Sequence, residues 1–507
     1  MKYIDNFLNG ITMYKLVLYG LFILSGISIL FGFMNMLSFR GLDLVYSFLT
    51  LTVVCFTANL IFSKIFKVQT NIESSSITAL ILFLVTFPVE SFSNFKLLVL
   101  VGVIAMASKY LLAISKKHVF NPAAIALVIM ALFGSGIGAW WIGSSVMLIP
   151  VAILGFLVLR KLRRFTMFFA FFATAVVSIV IFGVNNGYLL MDILKEIFTS
   201  WPIIFFGTIM LTEPLTTPPT KKMQVFYAVL VGALFGSQFH FGNLYATPEL
   251  ALVIGNIFAY IVSPKYRLVL KLVSKDTINK KGDVDEFRFE SDKKFNFEPG
   301  QYLEWTLGHD KPDSRGNRRF FTISSSPTEK EVMLGIKYYD KPSSFKMKLG
   351  QLELGEKIHA GSLSGEFTMP KDTSKKLVFI AGGIGVTPFR SMAKYMSDTN
   401  EKRDAVLLYS NKTPGDVAYK NVFDEAEQKT GLKTLYFMND LEGANLQPNM
   451  RLGFITPEVI MKEIPDYKER MFYISGPHGM VTAFQDSLSK LGIPNRNIKT
   501  DFFPGFV

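Results

Sequence analysis

Cysteine is almost absent from this sequence, since Cys55 is the single cysteine in 507 residues. One thiol cannot form an intrachain disulfide, ligate an iron–sulfur cluster or attach haem through a Cys-x-x-Cys-His motif. Histidine is also scarce: the chain has 5, and His118 and His240 are those of its apolar first half. A transmembrane pair of b-type haems with two axial histidines each would need more. We therefore expect no iron–sulfur cluster, no haem and no metal site.

Charged residues make up only 18% of the chain, and the mean hydropathy is +0.33. Both values reflect long apolar runs, most of them near the ~20 residues that span a bilayer. These runs lie at about residues 14–34, 44–66, 95–114, 139–159, 167–184, 224–239 and 248–262. Three shorter runs bounded by proline predict broken or re-entrant helices, at about residues 76–88, 121–133 and 202–214. The first run lacks a small-residue cleavage pattern, so we expect it to be retained in the membrane.

The spacing of proline indicates an internal repeat. Thr86-Phe87-Pro88 and Asn121-Pro122 recur as Thr212-Glu213-Pro214 and Thr247-Pro248, with the same offset for both pairs. We predict that residues 1–263 form an α-helical membrane domain of two repeats, at about residues 14–133 and 139–262. With five segments in each repeat, the odd number inverts the second copy relative to the first.

The formal net charge of +13 is compatible with binding to nucleic acid. The basic residues of the first half, however, lie in short loops between the apolar runs. Such loops contain Lys64, Lys116, Arg160, Lys221 and Lys265, and they alternate with loops nearly free of charge. The positive-inside rule then predicts ten segments in the cytoplasmic (inner) membrane, with both chain ends in the cytoplasm. We expect the lipid bilayer, and no nucleic acid, as a partner.

In the second half of the sequence, apolar and polar residues alternate with the period of β-strands, and glycine-rich turns separate these segments. Arg319-Phe320-Phe321-Thr322 combines a guanidinium suited to a pyrophosphate, rings suited to a flat ligand and a hydroxyl suited to a ring nitrogen. A period of two sends Arg319 and Phe321 to one face and Phe320 and Thr322 to the other, so a shared site needs a twist or bulge.

Two further motifs place glycine after an apolar strand. Residues 377–381 precede Gly382-Gly383-Ile384-Gly385-Val386-Thr387-Pro388, and residues 471–474 precede Ser475-Gly476-Pro477-His478-Gly479-Met480. This design lets backbone N–H groups approach a pyrophosphate. With these motifs in this order, residues 266–507 resemble the ferredoxin-NADP reductase family. The resemblance implies an antiparallel β-barrel for FAD at 266–370 and a Rossmann-like α/β domain for NAD(P)H at 375–507.

The resemblance also implies roles for individual residues. Around FAD, Arg319 binds a phosphate, Phe321 stacks on the isoalloxazine beside Phe320, Thr322 bonds near N5, and Ser343 and Ser344 open the helix that caps the pyrophosphate. The implied NAD(P)H-binding residues are Gly382, Gly383, Gly385, Thr387, Pro388, Ser410, Asn411, Lys412, Gly476, Pro477 and Met480. The implied catalytic residues are Thr322, Ser475 in place of the usual cysteine, and Phe506, which matches a terminal aromatic that covers the flavin.

Parts of the first half resemble two flavin-bearing membrane subunits, the D subunit of the Rnf complex and the B subunit of the sodium-pumping NADH:quinone oxidoreductase. The likeness covers roughly residues 44–265 and is carried by residues 118–124 and 212–220. It implies a flavin near Asn121, Thr212, Glu213, Thr216 and Thr217. The Ser-Gly-Ala-Thr-like sequence to which those subunits attach FMN is absent, so we expect a noncovalent FMN. An ordinary cytoplasmic turn is the alternative interpretation of residues 212–220.

Carboxylates near the membrane breaks add a further interpretation. Glu213, Glu90 and Glu249 flank the broken segments, where they serve an ion pathway or lie at the water interface. His118 and His240 are expected in loops or interfaces rather than as metal ligands.

Together these patterns predict an NAD(P)H-oxidising flavoprotein that passes electrons from FAD into or across the membrane, to a quinone or an extracytosolic flavoprotein. One alternative is a redox-driven or redox-regulated ion transporter. Another is a cytoplasmic reductase that is merely anchored to the membrane. Lys412 suits a 2′-phosphate or is a surface lysine, so the choice between NAD and NADP stays open.

Overall fold

A computed structural model describes residues 2–9, 11–67, 72–114, 117–237, 239–241, 244–263, 267–309, 312–313, 316–443 and 445–501. The described residues fall into two compact units that divide after Ser263. Phe506, Lys116 and Lys265 lie outside the described residues, as does the predicted junction at 264–266.

The first unit is built of helices with two short hairpins. Its helices are α1 (Lys2–Asn9), α2 (Met13–Phe33), α3 (Gly41–Ile65), α4 (Ile72–Val85), α5 (Phe92–Leu111), α6 (Pro122–Leu132), α7 (Leu148–Leu162), α8 (Phe165–Asn185), α9 (Leu190–Thr199), α10 (Ile203–Phe205), α11 (Lys221–Phe235) and α12 (Pro248–Val262). A π-helical turn, Phe206–Met210, continues α10. The hairpins pair β1 (Ala113–Ile114) with β2 (Lys117–His118), and β3 (His240–Phe241) with β4 (Leu244–Tyr245).

Large apolar side chains lie on the outside of these helices, and small residues lie between them. Ile23 is 62% exposed and Phe169 60% exposed, as suits side chains that meet lipid. Gly155 of α7 lies so close to Thr208 that an added Cβ would come within 2.7 Å of the threonine hydroxyl. Small residues at such contacts let membrane helices approach each other. Among the described residues of the first half, five helices are long and apolar enough to cross a bilayer, which indicates a membrane protein.

The count of ten segments stays a prediction. Helix α9 and the helical segment Ile203–Met210 meet at an angle of 59°, and together they are long and apolar enough to form a sixth span. The remaining apolar helices are shorter, within α4, α6 and α12. At about 1.5 Å per residue, the 11 residues of α6 reach only about half of the hydrocarbon thickness. The start of α6 and the end of α4 lie inside the unit, since Asn121 is 3% and Val85 0% exposed, as expected for broken segments.

The same order of elements occurs in the two halves of this unit. The first half has two long helices, α4 ending before Thr86-Phe87-Pro88, then α5, the β1–β2 hairpin and α6, which begins at Pro122. The second half has α7 and α8, the bent segment ending before Thr212-Glu213-Pro214, then α11, the β3–β4 hairpin and α12, which begins at Pro248. This order agrees with the repeat predicted from proline spacing, whereas the inversion of the second copy stays a prediction.

The second unit begins with an antiparallel six-stranded sheet in the order β8-β7-β10-β5-β6-β9. The strands are β5 (Arg267–Thr277), β6 (Val284–Ser291), β7 (Tyr302–Thr306), β8 (Arg318–Thr322), β9 (Val332–Lys337) and β10 (Lys357–Ser364), with helix α13 (Ser344–Gly350) before β10. Alternate residues such as Leu268, Leu270 and Leu272 form one core with Trp305. A shift in register between Gly361 and Ser364 supplies an irregularity in this half-barrel.

A parallel α/β sheet follows, in the order β14-β13-β12-β11-β15-β16. Its strands are β11 (Leu377–Gly382), β12 (Ala405–Asn411), β13 (Lys433–Met438), β14 (Met450–Leu452), β15 (Met471–Ser475) and β16 (Ile498–Thr500), and its helices are α14 (Thr387–Thr399), α15 (Lys420–Thr430), α16 (Pro457–Glu463) and α17 (His478–Lys490). Every residue of β11 is buried, as expected for a central strand covered on both faces. Parallel pairing brings the carboxyl ends of β11 and β15 to one edge, where ligands bind in such sheets.

Candidate functional site

Three polar side chains converge where β8, β15 and β16 end. Thr322 closes β8 and Ser475 closes β15, while Asp501 follows β16. The Thr322 hydroxyl donates to Oδ2 of Asp501 over 3.3 Å, and the Ser475 hydroxyl donates to the same oxygen over 3.2 Å. The structure thus joins the half-barrel and the α/β sheet at two of the residues predicted to be catalytic.

Asp501 was not identified as a site residue from the sequence. The carboxyl is withdrawn from water, which raises its pKa to about 7, and the two hydroxyl bonds offset only part of this rise. The pairing of β16 with β15 could have identified it, because parallel neighbours end at the same sheet edge. A carboxyl that titrates near neutrality beside two hydroxyls can hold or release a proton at this edge.

Arg319 forms an anion-binding arrangement with the start of α13. Its Nη2 donates to both carboxylate oxygens of Asp313, over 2.7 and 2.9 Å, and the backbone N–H of Ser344 also reaches Oδ2 of Asp313 over 3.3 Å. Ser343 is the N-cap of α13, where its side chain accepts from the N–H of Lys346. A guanidinium fork and helix N–H groups are the donors that a pyrophosphate requires, so these residues fit an FAD phosphate.

The aromatic residues of β8 lie on opposite faces, as the alternation predicts. Phe321 packs on Phe345 with ring centroids 5.8 Å apart, and the Arg319 guanidinium lies 5.5 Å from the centroid of the same ring. Phe320 instead meets Tyr302 edge-on at 5.4 Å. Arg319 and Phe321 therefore share one face of the strand, the arrangement that the implied FAD contacts need.

The glycine loop after β11 has the form predicted for a nucleotide site. Gly382 ends the strand, Gly383 and Gly385 lie in a 3-10 turn, and Thr387 and Pro388 begin α14. A Cβ on Gly385 would come within 2.5 Å of Cα of Gly476, so the two glycine motifs touch. Gly383 has φ +51, and among the described residues no atom lies within 4 Å of the position of an added Cβ. Backbone is thus open to a ligand at Gly383.

The remaining predicted NAD(P)H residues also lie at this sheet edge. Pro477 precedes α17 and Met480 lies in its first turn, with its sulfur 2.5 Å from the position of a Cβ on Gly382. Ser410 and Asn411 end β12, with Asn411 buried, and Lys412 follows on the surface. The carbonyl of Lys412 accepts from the N–H groups of Asn439 and Asp440, which fixes the backbone there.

A second polar group lies inside the first unit. Glu213 accepts from Nδ2 of Asn121 over 2.9 Å and from the Thr216 hydroxyl over 3.3 Å, and Nε2 of His118 lies 3.3 Å from its other oxygen. Asn121, the N-cap of α6, donates its backbone N–H to Oδ1 of Asn256 over 2.8 Å. The turn of residues 212–217 therefore packs against the start of α6, and Glu213 is half-buried there, with its side chain 19% exposed.

Arg164 holds the same turn from the other side. One guanidinium nitrogen donates to the carbonyl of Thr212 over 2.6 Å and to the Thr217 hydroxyl over 2.8 Å. The five residues predicted for a membrane flavin, Asn121, Thr212, Glu213, Thr216 and Thr217, thus form one cluster, joined directly or through Arg164. Sequence reasoning placed His118 in a loop and did not include it, or Arg164, in this site.

A cavity of about 40 Å³ borders this cluster, with Tyr14, Lys109, His118, Asn121 and Glu213 among its lining residues. Nζ of Lys109 donates to the carbonyl of Ser74 over 2.8 Å and to its hydroxyl over 3.0 Å. The volume holds roughly three water molecules and is far smaller than a flavin ring system. As it stands, the cavity does not fit FMN.

Glu249 is a carboxylate of the first unit that is buried. It is 5% exposed and accepts from Nε1 of Trp140 over 2.8 Å, while Nε1 of Trp141 donates to the carbonyl of Thr86 over 3.0 Å. Glu90, in contrast, is exposed. Of the three carboxylates singled out in the sequence, Glu249 is buried, Glu213 is half-buried and Glu90 is exposed.

A family model matches part of the second half of the chain. Residues 379–486 match the model of the oxidoreductase NAD-binding domain. The glycine betaine monooxygenase reductase subunit of Pseudomonas aeruginosa (strain UCBPP-PA14) is 26% identical over 213 residues, 41% of this chain and 57% of that protein. The propane 2-monooxygenase reductase component of Mycolicibacterium smegmatis is 29% identical over 216 residues, 41% of this chain and 60% of that protein.

Among solved structures, the FAD/NAD-binding domain of nitric oxide dioxygenase from Vibrio cholerae aligns with a TM-score of 0.41 and 16% identity, covering 46% of this chain and 98% of that one. The chain spans little more than half the length of the curated relatives it matches. With the matched NAD-binding domain, those relatives show that the second half of this chain is a ferredoxin-NADP reductase-like, NAD(P)H-dependent flavin oxidoreductase module.

Proposed function

We propose that this protein oxidises NAD(P)H at the reductase module and passes the electrons from FAD into the membrane unit, where a quinone or a flavin-linked extracytosolic protein accepts them. The observation that carries the proposal is the combination, in one chain, of a flavin reductase module with a membrane unit that buries ionisable side chains beside broken helices. Placing an ionisable side chain inside a bilayer costs free energy, so a domain that served only as an anchor would not be expected to contain several of them.

In the reductase module, each group has a defined task. Arg319, Ser343 and Ser344 hold the FAD phosphates, and the open backbone at Gly383 receives the nucleotide. Thr322, Ser475 and Asp501 orient the reacting rings, and the Asp501 carboxyl holds a proton beside the two hydroxyls. FAD, when bound here, would supply the chemistry of hydride acceptance from NAD(P)H and of electron release one or two at a time.

The size of the cavity supports a choice between the two acceptors. Room for about three waters does not accommodate FMN, which favours a quinone that diffuses in the bilayer over a resident second flavin. The test is NADH oxidation by the full-length protein in detergent or liposomes, with a short-chain quinone or with ferricyanide, a one-electron acceptor that reacts at exposed flavin. Quinone reduction at a rate comparable to that with ferricyanide is expected; reduction of ferricyanide alone contradicts the electron path and favours an anchored reductase.

A second candidate is redox-driven ion transport, favoured by the half-buried Glu213 and the buried Glu249, which lie at different proline-marked breaks. Carboxylates in such positions form ion pathways in many membrane proteins. Turnover in sealed vesicles that depends on sodium, and that a sodium ionophore accelerates, is expected for this candidate. Turnover indifferent to sodium and to ionophores counts against it.

A further inference from the structure

Three ionisable side chains of the membrane unit line one water-sized cavity. They are Lys109 near the end of α5, His118 at the end of β2, and Glu213 in the turn after the π-helical segment. His118 and Glu213 are in contact, with Nε2 3.3 Å from Oε1, and their side chains are 14% and 19% exposed. The cavity therefore joins three groups that can each bind a proton, without sealing them from water.

The charged and titratable groups around this cluster come from several elements. Tyr14 of α2 lines the cavity, Cys55 of α3 is within electrostatic range of Lys109, and Arg164 of α8 holds the carbonyl of Thr212. Tyr227 of α11 accepts from the Asn256 amide over 3.3 Å. Glu213 is the carboxylate at the centre of this set, so the local charge changes by one unit whenever the His118–Glu213 pair gains or loses a proton.

We propose that Lys109, His118 and Glu213 form a proton-loading site, which protonates the carrier that is reduced in the membrane unit. This inference rests on the proposed function, because it needs electrons to reach such a carrier. The hydride of NAD(P)H brings two electrons and one proton to FAD, and FAD releases that proton to water when the electrons leave. A quinone that receives the two electrons takes up two protons and forms two O–H bonds.

The cluster supplies these protons one at a time. Nε2 of His118 gives a proton through the cavity waters to a reduced quinone oxygen, and the neutral imidazole regains one through Glu213 from solvent. Lys109, when protonated, adds a positive charge beside the cavity, which favours an electron-rich, reduced carrier nearby. The overall change is NAD(P)H plus one proton plus quinone to NAD(P)⁺ plus quinol, so atoms and charge balance.

A purely structural cluster would make the same contacts and needs a separate test. Glu213→Gln keeps an oxygen that accepts from Asn121 and an amide that can bond His118, but it cannot carry a proton between water and His118. Glu90→Gln is the matched control, because Glu90 lies two residues after the Thr-x-Pro motif of the first half, the counterpart of the motif that contains Glu213, yet is exposed. Both variants are purified as full-length protein and compared for FAD content before assay.

The experiment measures two NADH-driven rates across pH 6 to 9. Ferricyanide takes electrons without protons and reports the reductase module, whereas a short-chain benzoquinone takes electrons and protons. For Glu213→Gln we expect an unchanged ferricyanide rate and a quinone rate lowered about tenfold or more, with a larger solvent isotope effect. Formate or imidazole, which carry protons into the site, should restore part of the quinone rate; Glu90→Gln should match wild type.

The outcomes separate the two proposals. A Glu213→Gln protein that reduces the quinone at the wild-type rate overturns the proton-loading site and leaves the electron path standing. A lowered rate with no rescue and no change in isotope effect also overturns it, because it shows a structural role. Wild-type protein that reduces ferricyanide but no quinone overturns the proposed function, and the proton-loading site with it.

Discussion

At the scale of single residues, Asp501 offers the most direct test of the reductase site. Burial raises its pKa to about 7, above the value near 4 of an unfolded aspartate. The folded state therefore favours the protonated form, and its contribution to stability is complete below about pH 4 and is lost as the pH rises through about 7.

We expect the temperature of flavin release from wild-type protein to fall as the pH is raised from 5 to 7 and to level off above. In Asp501→Asn, which stays neutral, this dependence should be absent, and the pH dependence of NADH:ferricyanide turnover near neutrality should flatten. Release temperatures that follow pH equally in both proteins would assign the effect to other groups.

Arg319 gives a second prediction at this scale. Its guanidinium already donates to two oxygens, those of the Asp313 carboxylate, and a phosphate presents oxygens in the same way. Arg319→Ala should yield protein with little FAD, and Arg319→Lys should recover only part of it, since an ammonium cannot bind two oxygens in one plane. Moles of FAD per chain after purification measure this. Arg288, which pairs with Glu286 on β6, provides a control arginine of the same sheet, and full FAD content in Arg319→Ala would refute the phosphate assignment.

At the scale of elements, the turn between β11 and α14 decides nucleotide binding. Gly383 has φ +51 and open space beside it, so Gly383→Val strains the backbone and fills the space that a nucleotide needs. We expect KM for NADH to rise about tenfold or more while FAD stays bound. Gly431→Val is the matched control, because Gly431 also has positive φ, +79, with open space, at the end of α15.

Stability should fall in both glycine variants, and only Gly383→Val should lose affinity for NADH. Equal KM values in the two variants would show that the loop after β11 does not contact the nucleotide. Titration with NADH, followed by bleaching of flavin absorbance, separates affinity from stability.

At the scale of the whole molecule, the flavin inventory tests which carriers the chain holds. The cavity beside Glu213 lacks the space for FMN, and the sequence lacks the motif to which related subunits attach it. We expect one FAD per chain, all of it released by acid precipitation. FMN in equal amount, or flavin that stays with the precipitate, would contradict this and favour the flavin route across the membrane.

Sequence alone determined the local features of this protein. Apolar runs, glycine loops and Arg319-Phe320-Phe321-Thr322 predict their helices, turns and strand faces because these depend on residues near one another in the chain. Proline spacing likewise predicts the broken segments and the repeated order of elements, since proline acts on its own turn.

Tertiary structure alone decided which distant groups meet. Asp501 joins Thr322 and Ser475 only because β16 pairs with β15 and the half-barrel adjoins that edge. Lys109, His118 and Glu213 share a cavity because the breaks of α6 and of the bent segment meet inside the membrane unit. No periodicity encodes such contacts, because they are set by how helices and sheets pack over long separations in sequence, and burial then sets the charge chemistry of each group.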